Sequence, residues 1–187
     1  VALLAYTSAL GTLTAALADD HRGTEELLLG SGVPYALLRN GWYHENYTEN
    51  LAPVLEHNAV VAAAGEGRVS SASRADYAAA AVAVLTGEGH ENKTYELGGD
   101  TAWSFAEYAA ELSRQTGREI AYQPVSTEAL TSVLTGAGLP EPVARILAGV
   151  DASIAKGELV VSTGDLSRLA GRPTTPLSEA VAAALKG

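Results

Sequence analysis

The sequence predicts an α/β fold built on a parallel sheet, and three observations lead there. Strand-like and helix-like patterns alternate from one end to the other. The stretches VALLAYT and VPYALLR are apolar on consecutive positions, as in strands covered on both faces. A helical pattern with short links joins these two stretches, which makes a parallel βαβ unit with a right-handed crossover. At 187 residues and 47% hydrophobic content, with mean hydropathy +0.08, the chain can bury a core of ordinary domain size.

In order, residues 1–7 form the opening strand, and the small-residue stretch SALGTLTAALADD begins as a loop. HRGTEELLLGSG reads as a helix with Asp19 or Asp20 as N-cap and Gly30 or Gly32 closing it. After the second strand, NYTENLAPVLEHN reads as one helix, with Pro53 in its first turn or marking a break. AVVAAAGEGRVSSAS suggests a short strand and a hairpin around Gly65 and Gly67. RADYAAAAVAVLTG is an alanine-rich helix stopped by Gly87, and KTYELGG a short strand. SFAEYAAELSRQTG is a helix capped by Thr101 or Ser104, with Glu107 completing a capping box after Ser104. EIAYQPVS is a strand; Ser126 or Thr127 caps TEALTSVLTGAG; Pro140 and Pro142 open the helix PEPVARILAGVDASIAKG. The tail ends in a helix capped by Ser178 or Thr175.

Composition narrows the function. A net charge of −10 repels nucleic-acid backbones and anionic membrane surfaces, and no apolar run is long enough to span a bilayer. Without a signal sequence in view, a cytoplasmic protein is expected. The absence of Cys removes disulfides, thiolate metal sites and a Cys nucleophile. The chain contains no Met, and VALLAYTS has no turn or cap before it, so the opening reads as the interior of a longer sequence with an exposed strand edge.

Chemistry concentrates in LLRNGWYHENY, where an apolar strand ends in a polar and aromatic burst. The carboxyl ends of parallel strands open onto the crevice where ligands bind. Trp42 offers a flat surface, and Tyr43, His44, Glu45 and Asn46 offer hydrogen-bonding and proton-donating groups; the plainer reading makes these the amphipathic start of a helix with Trp42 in the core. His21 and Glu25, four apart, share a helix face and suit either an acid/base pair or an exposed polar face. A third metal ligand is missing from that pair, and no metal is expected. Arg74 suits an anion or a carboxylate, and Asp76 the helix dipole. Ser8 has no nucleophile elbow around it, and His57 and His90 lie in turn-like surroundings expected to face solvent. No G-x-G-x-x-G or G-x-x-x-x-G-K phosphate loop is present.

LLRNGWYHENY, LAYTSAL, SASRADYAAAAVAVL, KTYELGGDTAWSFAEYAAELS and GRPTTPLSEAV together resemble the type 2 NADPH:quinone oxidoreductases, within the NmrA-like branch of atypical short-chain dehydrogenases. The resemblance implies a Rossmann-like NAD(P)-binding fold of helices around a parallel sheet, with a small C-terminal substrate lobe. It also implies that roughly a hundred residues carrying the glycine-rich fingerprint and first strands precede this chain. Residues 1–126 would then belong to the nucleotide-binding domain, with substrate-pocket segments interleaved, and residues 127–187 to a mostly helical substrate-side lobe and C-terminal helix. By the same resemblance the cofactor is NADPH, which Gly41, Trp42, Tyr43, His44, Glu45, Asn46 and Ser71 contact. The substrate is a quinone reduced by direct hydride transfer without flavin, and Tyr43 or His44 donates the proton. His21 and Glu25 stand where the wider superfamily places Tyr and Lys, and a Glu cannot replace a cation there. The alternative is an NADP-binding redox sensor of the same branch that does not turn over. An oligomer is compatible with either reading.

Overall fold

The computed structural model describes residues 1–11, 14, 16–49 and 51–186. The chain opens with β1 (Leu4–Ala9) and α1 (Leu17–Gly30). Asp19 and Asp20 lie inside the first turn of α1, where they offset the helix dipole, so the helix starts earlier than a cap at either residue implies. β2 (Tyr35–Asn40) follows. The single helix expected next is two, α2 (Glu45–Thr48) and α3 (Ala52–His57), with Pro53 in the first turn of the second.

β3 (Ala59–Ala62) and β4 (Arg68–Val69) come next, but they do not form the expected hairpin. Each pairs with a strand far along the sequence. Gly67 is needed for close approach to another segment: a Cβ there would stand 2.3 Å from the carbonyl oxygen of Ile154. α4 (Arg74–Thr86) starts at a capping box, with Ser73 accepting from the Asp76 N–H and Asp76 from the Ser73 N–H, and ends at Gly87. β5 (Lys93–Leu97), β6 (Trp103–Ser104) and α5 (Phe105–Thr116) follow, the last with the expected box of Ser104 and Glu107. Then come β7 (Ala121–Pro124), α6 (Thr127–Gly136) capped by Ser126, and α7 (Glu141–Ala155) after Pro140. α8 (Asp165–Ala170), not read as a separate helix in the sequence, is bounded by Gly164 and Gly171. α9 (Leu177–Ala184) has Pro176 at its N-cap position, since Thr175 is engaged elsewhere.

The main sheet has three parallel strands in the order β1-β2-β5. β2 lies between two partners and buries Ala36, Leu37 and Leu38. β1 has one partner among the described residues and is mostly half-buried, so full cover on both faces, expected from its pattern, is absent. A second parallel pair, β3 with β7, and the antiparallel pair β4 with β6 form two further small sheets. Two apolar cores result. One, including Leu38, Tyr77, Val84 and Leu97, lies between the main sheet, α4 and α8. The larger, including Val60, Trp103, Phe105, Leu112 and Ile154, joins the two small sheets to α5 and α7. Among the described residues no helix is long and apolar enough to cross a membrane.

Candidate functional site

Backbone bonds hold the polar burst after β2 between the two cores. The Gly41 N–H donates to the Leu97 carbonyl at 2.8 Å, Ala72 N–H to Trp42 at 3.1 Å and His44 N–H to Ala72 at 3.0 Å. Tyr77 donates its hydroxyl to the Trp42 carbonyl. The loop after β2 is thereby laced to the segment that leads into α4, and its side chains are directed by a rigid frame rather than by a free loop. Gly99 closes the frame, because a Cβ there would meet the Ser71 carbonyl oxygen at 2.1 Å.

His44 is 1% exposed. Its Nε2 lies 2.9 Å from the Thr175 carbonyl and its Nδ1 2.8 Å from Ser71 Oγ. A carbonyl only accepts, so Nε2 carries the proton and Nδ1 accepts from the Ser71 hydroxyl. Trp103 Nε1 donates to that same hydroxyl at 2.8 Å. The chain Trp103, Ser71, His44, Thr175 is therefore complete with a neutral imidazole, and burial pushes the His44 pKa down despite the Thr175 carbonyl and the nearby Glu45 and Asp76. Both ring nitrogens of His44, one of the two residues expected to donate a proton, are thus engaged within the protein.

Tyr43 lines a shallow hollow with Thr7, Asn40, Arg74 and Tyr77. Its ring meets Tyr77 edge-on, and the Arg74 guanidinium stands 4.4 Å over it. Asn40 Nδ2 donates to its hydroxyl at 3.3 Å. Glu45 accepts from the Arg74 N–H through Oε1, while its Oε2 is buried without a hydrogen-bond partner. Asn46 is exposed, and Gly41 and Trp42 are partly buried.

On the other side of the loop lies a cavity of about 270 Å³ with Trp42, Tyr47, Phe105 and Tyr108 among its walls and Val60, Leu130 and Leu147 beside them. Asn46 and Asp151 are its polar members. Tyr47 crosses Trp103 and Phe105 at near right angles, with centroids 5.0 and 5.4 Å apart. Its hydroxyl is buried with no acceptor for its proton, and burial first, then the nearby Asp151, hold its pKa well above the usual phenol value against the opposing effect of the Trp42 side chain. Asp151 accepts the Ala63 N–H through Oδ2 at 2.7 Å, and burial pushes its carboxyl up to about 6. Sequence reasoning missed Asp151, Phe105 and Tyr108. The signal available was a lone acid in VARILAGVDASIA between two core positions, Val150 and Ile154.

The structure separates the other pairings. Glu25 is bound bidentately by Arg39, at 2.9 and 2.6 Å, with Glu96 on the guanidinium's far side. Arg39 outweighs burial and keeps the Glu25 pKa low. His21 instead bonds the Tyr6 hydroxyl at 2.9 Å, so the two do not share a proton. Asp76, in the first turn of α4 as its fit to the helix dipole requires, is fully buried and pairs with Arg172. Ser8, near the carboxyl end of β1, is buried with its hydroxyl facing the Glu25 carboxylate, whose pKa it helps to lower. His57 is exposed as expected, but His90 is half-buried against the Tyr95 hydroxyl at 2.7 Å. No group of three potential metal-ligating side chains converges among the described residues.

No family model matches the chain. It is 47% identical over 183 residues to quinone oxidoreductase 2 of Escherichia coli, covering 97% of this chain and 64% of that protein. The crystal structure of the Escherichia coli NADPH-dependent quinone oxidoreductase with NADPH superposes with a TM-score of 0.95 at 46% identity, covering 99% of this chain and 66% of that one. A second crystal structure of that oxidoreductase gives the same TM-score and identity, with 68% of its chain covered. Triphenylmethane reductase of a Citrobacter species gives a TM-score of 0.92 at 40% identity, covering all of this chain and 66% of that one. The chain thus spans about two thirds of the length of these relatives.

Proposed function

The chain belongs to the type 2 quinone oxidoreductases, in the NmrA-like branch of the NAD(P)-binding Rossmann-type proteins, and from that premise we propose that it serves NADPH-dependent reduction of quinones by direct hydride transfer. The observation that carries the reading is the aromatic cavity beside the carboxyl end of β2, which suits a flat conjugated ring. The Escherichia coli relative was crystallised with NADPH.

The residues present fit the nicotinamide end of that cofactor. Ser8 Oγ is buried near the carboxyl end of β1, where its hydroxyl faces the Glu25 carboxylate, and the oxygen still has lone pairs that can accept from a carboxamide N–H. In this reading Gly41, Trp42, Tyr43, Glu45 and Asn46 form the rim on the cofactor side. His44 and Ser71 act from behind, fixing that rim through Thr175 and Trp103. Bound NADPH would supply the hydride. Trp42, Tyr47, Phe105 and Tyr108 orient the acceptor ring and exclude water from it. In this reading residues 1–126 belong to the nucleotide-binding part with substrate-pocket segments interleaved, as Trp42, Tyr47 and Phe105 on the cavity wall suggest, and residues 127–187 add the substrate-side lobe through Leu130, Leu134 and Leu147.

The test is NADPH consumption with and without benzoquinone, by the 187-residue chain and by a form extended to the length of its relatives. Quinone-stimulated consumption by the extended form is the expected result. NADPH binding that quinone does not convert into consumption would replace the enzyme with a redox sensor.

A further inference from the structure

The aromatic cavity contains polar capacity that the fold does not use. Asp151 is 9% exposed and sits in the middle of α7, with Val150 and Ile154 buried on either side. Its hydrogen bond is from Ala63 N–H to Oδ2, and among the described residues Oδ1 makes none. No Lys, Arg or His forms an ion pair with it among the described residues. The titratable groups facing it are phenols, Tyr47 from α2 and Tyr122 from β7. Tyr47 Oη is buried in the same cavity, where the Trp42 indole N–H is its side-chain neighbour and no acceptor takes its own O–H. A buried carboxyl with no cation and a buried phenol with no acceptor are each unfavourable in a protein interior, and both are satisfied by a ligand oxygen between them.

Resting on the reading above, we propose that Asp151 is the proton donor of this cavity, delivering its proton to a carbonyl oxygen of a flat conjugated acceptor that Tyr47 Oη also holds. As the acceptor takes two electrons and a hydrogen as hydride, the carbonyl π pair moves onto its oxygen. The Asp151 O–H bond breaks and a new O–H bond forms at that oxygen. NADPH is oxidised, the quinone is reduced to the hydroquinone, and the Asp151 carboxylate regains its proton from solvent. An aromatic chamber raises the proton affinity of the carboxyl, which is what keeps an acid available near neutral pH. Acceptor binding dries the chamber further and draws Asp151 towards its protonated form.

The experiment titrates naphthoquinone into the extended protein without NADPH, following tryptophan fluorescence, at pH values below and above the Asp151 ionisation. Wild type, D151N and Y47F are compared, and kcat and KM are then measured with NADPH. Wild-type affinity is expected to fall with rising pH, approaching tenfold per unit above the ionisation, whereas D151N binds with a flat profile and loses at least tenfold in kcat. Y47F weakens binding but keeps the wild-type pH dependence. A pH-independent wild-type affinity, or D151N with wild-type kcat and pH profile, overturns the assignment to Asp151 while leaving quinone reduction standing. Failure of naphthoquinone to bind at any pH overturns both.

Discussion

His44 Nδ1 accepts a hydrogen bond from Ser71 Oγ at 2.8 Å, and the same hydroxyl accepts from Trp103 Nε1. One small side chain therefore satisfies two buried groups from different elements, the loop after β2 and β6. S71A should leave an indole N–H and an imidazole nitrogen unpaired in the interior, a loss of about 2–4 kcal/mol. Urea unfolding would read it, and a loss below about 1 kcal/mol would show that the two groups find other partners.

The neutral His44 has a consequence for pH. Its folded pKa lies below the ordinary value of 6.5, so in mildly acidic solution the unfolded chain binds the proton more readily than the folded one. Stability from this residue is complete above that value and declines as pH falls through the window beneath it. H44Q should flatten the decline in a series of urea midpoints taken from neutral pH downward. An unchanged slope would assign the acid sensitivity to another group.

Asp76 ties the tail to the start of α4. It accepts from Ser73 Oγ at 2.7 Å and Thr175 N–H at 2.9 Å and pairs with Arg172 at 2.6 Å. Arg172 is about half exposed, so R172A should cost under about 1 kcal/mol. D76A removes a cap and the tail's anchor together and should cost about 3 kcal/mol or more. Limited proteolysis should cut residues 171–176 faster in D76A than in R172A. Its low pKa, which these hydrogen bonds maintain against burial, makes the latch one that weakens as acid protonates it.

What the sequence makes legible follows from how local its causes are. The box of Ser104 and Glu107, the stop at Gly87 and the break at Pro53 act within one helical turn, and each stands where its spacing places it. The loop after β2 is legible because an apolar run ends abruptly in aromatic and polar residues. The pairing of β3 with β7, across some sixty residues, leaves no local trace, and two glycines nearby mimic a hairpin. Glu25 looks like a partner for His21 because both lie on one helix face, but its partner Arg39 comes from the neighbouring strand. Asp151 is illegible for the same reason: its surroundings come from α2, β3, α5 and α6, and no motif of its own surrounds it.

The ion pair of Glu25 with Arg39 tests how far that network is structural. The Glu25 side chain is 6% exposed and the Arg39 side chain 26%. R39M should leave a buried carboxylate unpaired and cost about 3 kcal/mol or more, whereas E96Q, on the more exposed arm, should cost under about 1 kcal/mol. Replacing both members, as E25L with R39M, should recover most of the loss, since two apolar groups leave no charge behind. A double variant no more stable than R39M alone would mean that the pair fixes the geometry of β1 and β2 beyond its own charges.

Asp151 offers the opposite test, one in which a substitution should stabilise. Its carboxyl is pushed up from 3.8 to about 6 by burial, so the folded state disfavours its ionisation. The folded chain holds this proton more tightly than the unfolded one, and stability is fullest below the unfolded value. It declines as pH rises through the folded value and then stays level, by roughly 2–3 kcal/mol in all at about 1.4 kcal/mol per unit. Asn at this position keeps an acceptor for the Ala63 N–H and carries no charge. D151N should therefore raise the urea midpoint at pH about 8 and leave it nearly unchanged at pH about 4. A gain in stability at neutral pH with a loss of turnover would mark Asp151 as a carboxyl held in the fold for chemistry at a cost to folding. Equal midpoints at both pH values would mean that water or a neighbouring group already satisfies the carboxylate.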